Sequence, residues 1–253
     1  MNFHKIKRLN YINIFYKIIV IYFLLSFFSY TNAEDKIGSV TDIQGSAISI
    51  NSKGEERELN IFDPIFLNDE IFVSEQSTLT VQYSDNTTII LKELTSLNVF
   101  EFEKSLVRQK FKAEVKKGDI VIESGSIAKS SNGEMLVDLS NMQLGVRGTR
   151  LNINIDADGS SKVALAEDSF GNVGEISLSS EGQTTNLNNP EEVLELNQGN
   201  ELSRREQTSE EKEELKSVDQ TLVSVSKIDE NDLDQKLEEK LQQGKLEDAN
   251  NDG

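Results

Sequence analysis

The stretch DADGSSKVALAE, Asp156 to Glu167, has the twelve-residue length and terminal glutamate of a calcium-binding loop. Such a loop needs oxygen ligands at alternating positions around a glycine at the sixth. Here the glycine is fourth, Lys162 stands at a ligand position, and the flanking text reads as strands. A β-hairpin turn through Asp158 and Gly159 accounts for the stretch better.

Other chemistry is ruled out by missing residue types. The sole histidine is His4 and there is no cysteine. Serine–histidine and cysteine–histidine nucleophile pairs are therefore excluded beyond the first residues, as are imidazole and thiolate metal sites. Disulfides and a lipid-bearing cysteine are excluded too. Carboxylates are too numerous for any one pair to signal a hydrolase, there is no tryptophan to platform a sugar, and no aspartyl-protease signature is present. The expectation is a protein that is not an enzyme and that uses no cofactor and no metal.

The N-terminus carries Lys5, Lys7, Arg8 and Lys17 with no acid, then the apolar run Ile18 to Phe28, then SYTNA ending at Ala33 before Glu34. That order is a basic region, an apolar region and a small-residue cleavage site. A signal peptide over residues 1–33, cut between Ala33 and Glu34, is expected. The apolar run is short for a membrane span, which needs about 20 residues. Without the leader the chain keeps 22 basic against 44 acidic residues. Such a charge opposes nucleic acid and anionic membranes.

From Ile37 to about Leu202 the sequence returns repeatedly to short alternating strands. SVTDIQGSAISI precedes a turn at Gly54, TLTVQYSDNTTIIL turns at Ser84-Asp85-Asn86, and FKAEVKKGDIVIESG, GEMLVDLS, LNINIDADGSSKVALAE, GEISLSSEGQTTNL and EEVLELNQG follow. Pro64 and Pro190 fall at turns or strand edges, where a missing N–H does least harm. Short strands broken by Gly, Asn and Asp predict an all-β domain, an antiparallel sandwich or rolled barrel, over residues 34–203.

Residues 204–253 differ, being dense in Glu, Lys and Gln. Thr208 and Glu211 have capping-box spacing. Leu215, Val218, Leu222 and Val225 form one narrow apolar stripe, and Leu233, Leu237 and Leu241 a second that stops at Gly244. An acidic helical or partly disordered tail is expected. Solvation of much of it is the plainer reading, and a helical hairpin or short coiled coil against a partner the sharper one.

The order of pieces in the β region resembles the FecR family. GSVTDIQGSAISI, LNDEIFVSEQSTLTVQYSDNTTIILKELTSLNVFEF, VKKGDIVIESG and LGVRGTRLNINIDADGSSKVALAE follow the family's sequence of elements across most of residues 37 to 202. The most specific piece is Gly145-Val146-Arg147-Gly148-Thr149. Asn68 and Asn86 stand where the family has glycines, and Asp168 to Gly171 lengthen a turn. Asparagine tolerates the left-handed backbone that glycine supplies. Within GVRGT the two glycines let the strand bend and a neighbour approach, while Arg147 offers a fork of donors for carbonyls or a carboxylate at the bend. The motif is read as structural, and it is not the RGD adhesion sequence.

The resemblance implies the FecR-like β fold and a role in protein contacts in the envelope of a Gram-negative cell, periplasmic or secreted. The expected function is a stand-alone protein-binding or scaffold module whose partner is another envelope protein. Two alternatives differ in class. One is a membrane-anchored signalling regulator of the FecR type, for which the seventeen residues before the apolar run leave no room for a cytoplasmic sigma-binding domain. The other is an envelope polysaccharide-binding protein, for which exposed aromatics are few.

Overall fold

A computed structural model describes residues 35–218 except 141, 181 and 200, together with Leu222. The expected leader and its expected cleavage between Ala33 and Glu34, Val225, and the second stripe at Leu233, Leu237 and Leu241 lie outside the described residues.

Glycine and asparagine turns cut the first half of the domain into β1 (Lys36–Gln44), β2 (Ala47–Ile50), β3 (Glu56–Glu58), β4 (Pro64–Phe66), β5 (Glu70–Val73), β6 (Thr78–Tyr83), β7 (Thr88–Leu91) and β8 (Ser96–Lys104). A long strand, β9 (Gln109–Glu123), is followed by the single turn α1 (Ser126–Lys129). The second half is built of hairpins: β10 (Gly133–Leu139) with β11 (Met142–Arg147), β12 (Arg150–Ile155) with β13 (Ser161–Ala166), β14 (Glu175–Ser180) with β15 (Gln183–Leu187), and β16 (Glu192–Leu196) with β17 (Leu202–Glu206). The helix α2 (Ser209–Ser217) follows.

These strands make two layers. The front layer runs β4–β1–β6–β7–β9–β12–β13–β16–β17. The back layer runs β3–β2–β5–β8–β9–β10–β11–β14–β15. Successive hairpins of the second half alternate between the layers, so the chain rolls up as it goes.

Only β9 belongs to both layers. Its first part, to Lys117, pairs with β8 and its last part, from Gly118, with β7 and β12. The crossing is made at Gly118, where φ is +100° and an added Cβ would lie 2.5 Å from Thr95 Cα. No side chain fits that backbone.

One feature departs from the antiparallel expectation: β10 runs parallel to β9, with Gly133 opposite Gln109 and Asp138 opposite Glu114. The turn of α1 carries the chain back across the end of the sandwich, so β10 re-enters beside the start of β9 in the same direction. Parallel neighbours need a crossover of this kind.

Alternate residues of both layers meet in one core. Val40, Val81, Ile122, Leu151 and Val163 from the front pack with Ile71, Leu97, Phe111, Val137 and Leu144 from the back. Phe111 packs edge to face against both Tyr83 and Phe102 within it, the Tyr83 and Phe111 rings 5.1 Å apart. The turn expectations hold locally: Asn68 and Asn86 have φ of +68° and +66°, Gly54 +80° and Gly159 +87°.

Candidate functional site

The GVRGT motif is where the chain changes layer. Val146 is buried in the core at the end of β11, in the back layer, and Arg150 opens β12, in the front layer. Between them Gly148 takes φ +57°. Thr149 is wholly buried; its N–H donates to Ser124 Oγ at 2.8 Å and its hydroxyl to Ala166 O at 3.0 Å, tying the turn to the ends of β9 and β13. Gly145 pairs with Ser177 across the ladder, and a Cβ there would lie 2.5 Å from Ser177 Oγ. Gly174 presses on the turn from outside, and a Cβ on it would fall 1.8 Å from Arg147 O.

Arg147 and Arg150 take unequal roles. Arg147 is exposed, with one long contact, Nη1 to Ser130 O at 3.5 Å. Arg150, 5% exposed, donates from Nε to Glu123 Oε2 at 2.8 Å and from Nη2 to Ser169 Oγ at 3.1 Å. Glu123 Oε1 in turn accepts the Ser169 N–H at 2.8 Å. Arg147 thus reaches one carbonyl, Ser130 O, and the carboxylate near the bend, Glu123, is held by Arg150. Alternation along RLNINI places Arg150 on the outer face with Asn152 and Asn154, which reads as solvent when no cover is known.

The cover is the C-terminal segment. Leu215 packs on Ala164 and Val193, and Val218 and Leu222 pack on Ile90 and Val121. Those four front-layer residues lie in one row across β7, β9, β12, β13 and β16, with Ile90 opposite Val121, Ala164 opposite Val193, and Asn152 of β12 between the two pairs. The apolar stripe therefore crosses the strands as a strap, and Val121 is buried although it faces away from the main core. β17 runs on to Glu206, past the composition change at residue 204, and the strap begins only two residues later.

Polar groups hold the strap at its edges. The capping box forms as spaced, with the Glu211 N–H donating to Thr208 Oγ1 at 3.2 Å and the Thr208 N–H to Glu211 Oε2 at 2.8 Å. Arg205 bridges Glu195 and Glu211 at 2.7 and 2.6 Å. That guanidinium holds the Glu211 carboxyl well down, at about 2. Lys92 bridges Asp119 on β9 and Glu214 on α2. Burial pushes the Asp119 carboxyl up even so.

The seam is incompletely filled. A cavity of about 590 Å³ lined by Asp119, Asn152, Asn154, Lys162, Glu211 and Glu214 lies along one side, and another of about 550 Å³, lined by Arg150, Ser169, Gln207 and Lys212, along the other. Asp119 Oδ1 and Asn152 Oδ1 are buried without a hydrogen-bond partner. Three buried aliphatic side chains are worth about 1.5–3 kcal/mol each. Fixing the nine residues of α2 costs about 1–2 kcal/mol apiece in backbone entropy. Docking therefore leans on the helix hydrogen bonds and edge ion pairs.

Residues 69–170, which hold the layer change, the Glu123–Arg150 pair and the bent strand β9, match the family model described as FecR protein. Over that stretch the chain is similar to FecR proteins. It is similar to two crystal structures, at 1.65 and 2.50 Å resolution, of a "putative anti-sigma factor from Parabacteroides distasonis ATCC 8503". Each is 15% identical, with a TM-score of 0.45, over 56% of this chain and 61% of the other. It thus spans less than two thirds of the length of those proteins. A structure named as a cell surface anchoring domain is 26% identical over 24% of this chain and 82% of its own, with a TM-score of 0.24. No curated protein matches the sequence.

The β domain has one more distinctive surface. β8 and β9 meet in a hairpin whose tip carries Leu106 and Val107, 97% and 90% exposed, while the first residues of β9 stay paired with β10 on their other side. Its stem is cross-linked by Arg108, Lys110 and Lys112 around Glu101, at 3.2, 3.6 and 3.0 Å. The loop Glu167 to Gly174 is also well built: Asp168 accepts from the Asn172 and Phe170 N–H groups and from Lys129, leaving Phe170 exposed. Burial opposes the charge on Asp168, but these donors together keep its carboxyl below the ordinary range. Among the described residues no group of three or more acidic, histidine or cysteine side chains is placed to hold a metal ion, and no helix is long and apolar enough to cross a membrane.

Proposed function

We propose that this protein is an exported, non-enzymatic FecR-domain module that works by binding another protein of the cell envelope. Export is supported by the basic, apolar and small-residue order of the leader, with a mature start at Glu34 in the periplasm or outside the cell. Protein binding is supported above all by the β8–β9 hairpin, which presents Leu106 and Val107 to solvent on a stem stiffened by ion pairs. Two adjacent aliphatic side chains held out at a rigid tip offer a partner pocket an anchor at little ordering cost.

Two experiments test this reading. Envelope extract is passed over the immobilised protein and over a Leu106→Asp/Val107→Asp variant, with the fold of each checked by its circular dichroism. A specific envelope protein retained by the first and lost by the second is the expected result, and equal retention, or none, overturns it. The N-terminal mass of the protein from fractionated cells should begin at Glu34 in a soluble fraction. An intact Met1 in the membrane fraction would replace the exported module with an anchored regulator.

A further inference from the structure

On the outside of a sandwich that already has its core between the layers, the row Ile90, Val121, Asn152, Ala164 and Val193 carries two apolar patches, one on each side of Asn152. A sheet face exposed to water ordinarily carries polar residues at such positions. This row is flanked by cations, Lys92 at one edge and Arg205 at the other, and both are engaged by acids of the helix lying across it, Glu214 and Glu211. The surface is thus shaped and charged for an acidic helix with aliphatic side chains at intervals of three and four. The chain's own segment fills it poorly, leaving cavities on both sides and two buried oxygens, Asp119 Oδ1 and Asn152 Oδ1, without donors.

We propose that the outer face of the front layer is a helix-docking surface, that α2 with Val218 and Leu222 occupies it in cis, and that an acidic amphipathic helix of a partner protein displaces them. A partner helix with the same stripe and one amide or ammonium group near its middle would fill the seam and have enough N–H donors for both oxygens that α2 leaves bare. The strap then acts as a built-in competitor that sets how tightly the partner must bind. This surface adds to the protein-binding reading above and lies apart from the hairpin tip.

The test uses the full chain and a fluorescent synthetic peptide of residues 204–227 as the stand-in helix. Three forms are compared: the wild type, a strap-released Leu215→Asp/Val218→Asp variant, and an Ala164→Cys/Leu215→Cys variant. The last has the only two cysteines in the chain, so its disulfide locks the strap. Binding at least ten-fold tighter to the released form than to the wild type is expected. Oxidised locked protein should not bind, reduction should restore binding, and a peptide carrying Leu215→Asp should fail throughout. If the released variant does not keep its β-sheet signal, the oxidised and reduced locked forms decide alone. Equal binding to these two, or a wild-type dimer by light scattering that locking abolishes, overturns the proposal, the dimer by assigning the face to a second copy. No envelope component enters the assay, so its failure leaves the hairpin reading standing, and failure of envelope capture leaves this one.

Discussion

Arg150 and Glu123 face each other across β12 and β9, Nε to Oε2 at 2.8 Å, and both are almost wholly buried at the edge of the strap. Removing one member of a buried pair strands the other's charge, which costs about 3–5 kcal/mol. Arg150→Ala should lower unfolding stability in urea by about that much. Arg150→Lys should recover only part of it, because an ammonium lacks the fork that reaches both Glu123 and Ser169.

The glycines of the layer change differ in what opposes a side chain. At Gly145 the obstacle is the Ser177 hydroxyl; at Gly174 it is backbone. Gly145→Ala is expected to cost about 1–3 kcal/mol, and most of it should return in the Gly145→Ala/Ser177→Ala double variant. Gly174→Ala should be worse and unrescued by any neighbouring side chain. A double-mutant cycle read by thermal unfolding separates the two cases.

Marginal docking makes a prediction about order of opening. In native-state hydrogen exchange the amides of α2 should exchange far faster than those of β9 and β12, and a Leu215→Ala change should speed them further while leaving the sandwich amides unaffected. Protection of α2 equal to that of β9 would mean strap and sandwich open as one unit.

Glu211 carries the clearest pH dependence. Its carboxyl is depressed to about 2 in the folded state from an ordinary 4.5, chiefly by Arg205. A depressed acid contributes stability above its unfolded pKa and loses it as pH falls toward its folded pKa. The strap should therefore weaken between about pH 4.5 and 2, and Glu211→Gln should flatten the slope in that window. Asp119 works in the opposite sense, since burial raises its carboxyl. Asp119→Asn should tighten the strap at neutral pH, as followed by the same amides.

Much of this protein is written locally. The turns at Asn86, Asn68 and Gly159, the capping box of Thr208 and Glu211, and the stripe of Leu215, Val218 and Leu222 depend on a few neighbouring residues, so alternation and turn chemistry reveal them. Missing histidine and cysteine likewise restrict the chemistry with no structure at all. What the sequence could not decide rests on partners distant along the chain. Whether Arg147 or Arg150 is buried depends on which layer each strand joins and what lies outside it. The parallel entry of β10 depends on where α1 returns the chain, and the landing place of the stripe depends on a row assembled from β7, β9, β12, β13 and β16. Residue types set what each side chain can do; register between distant strands decides which of them meet.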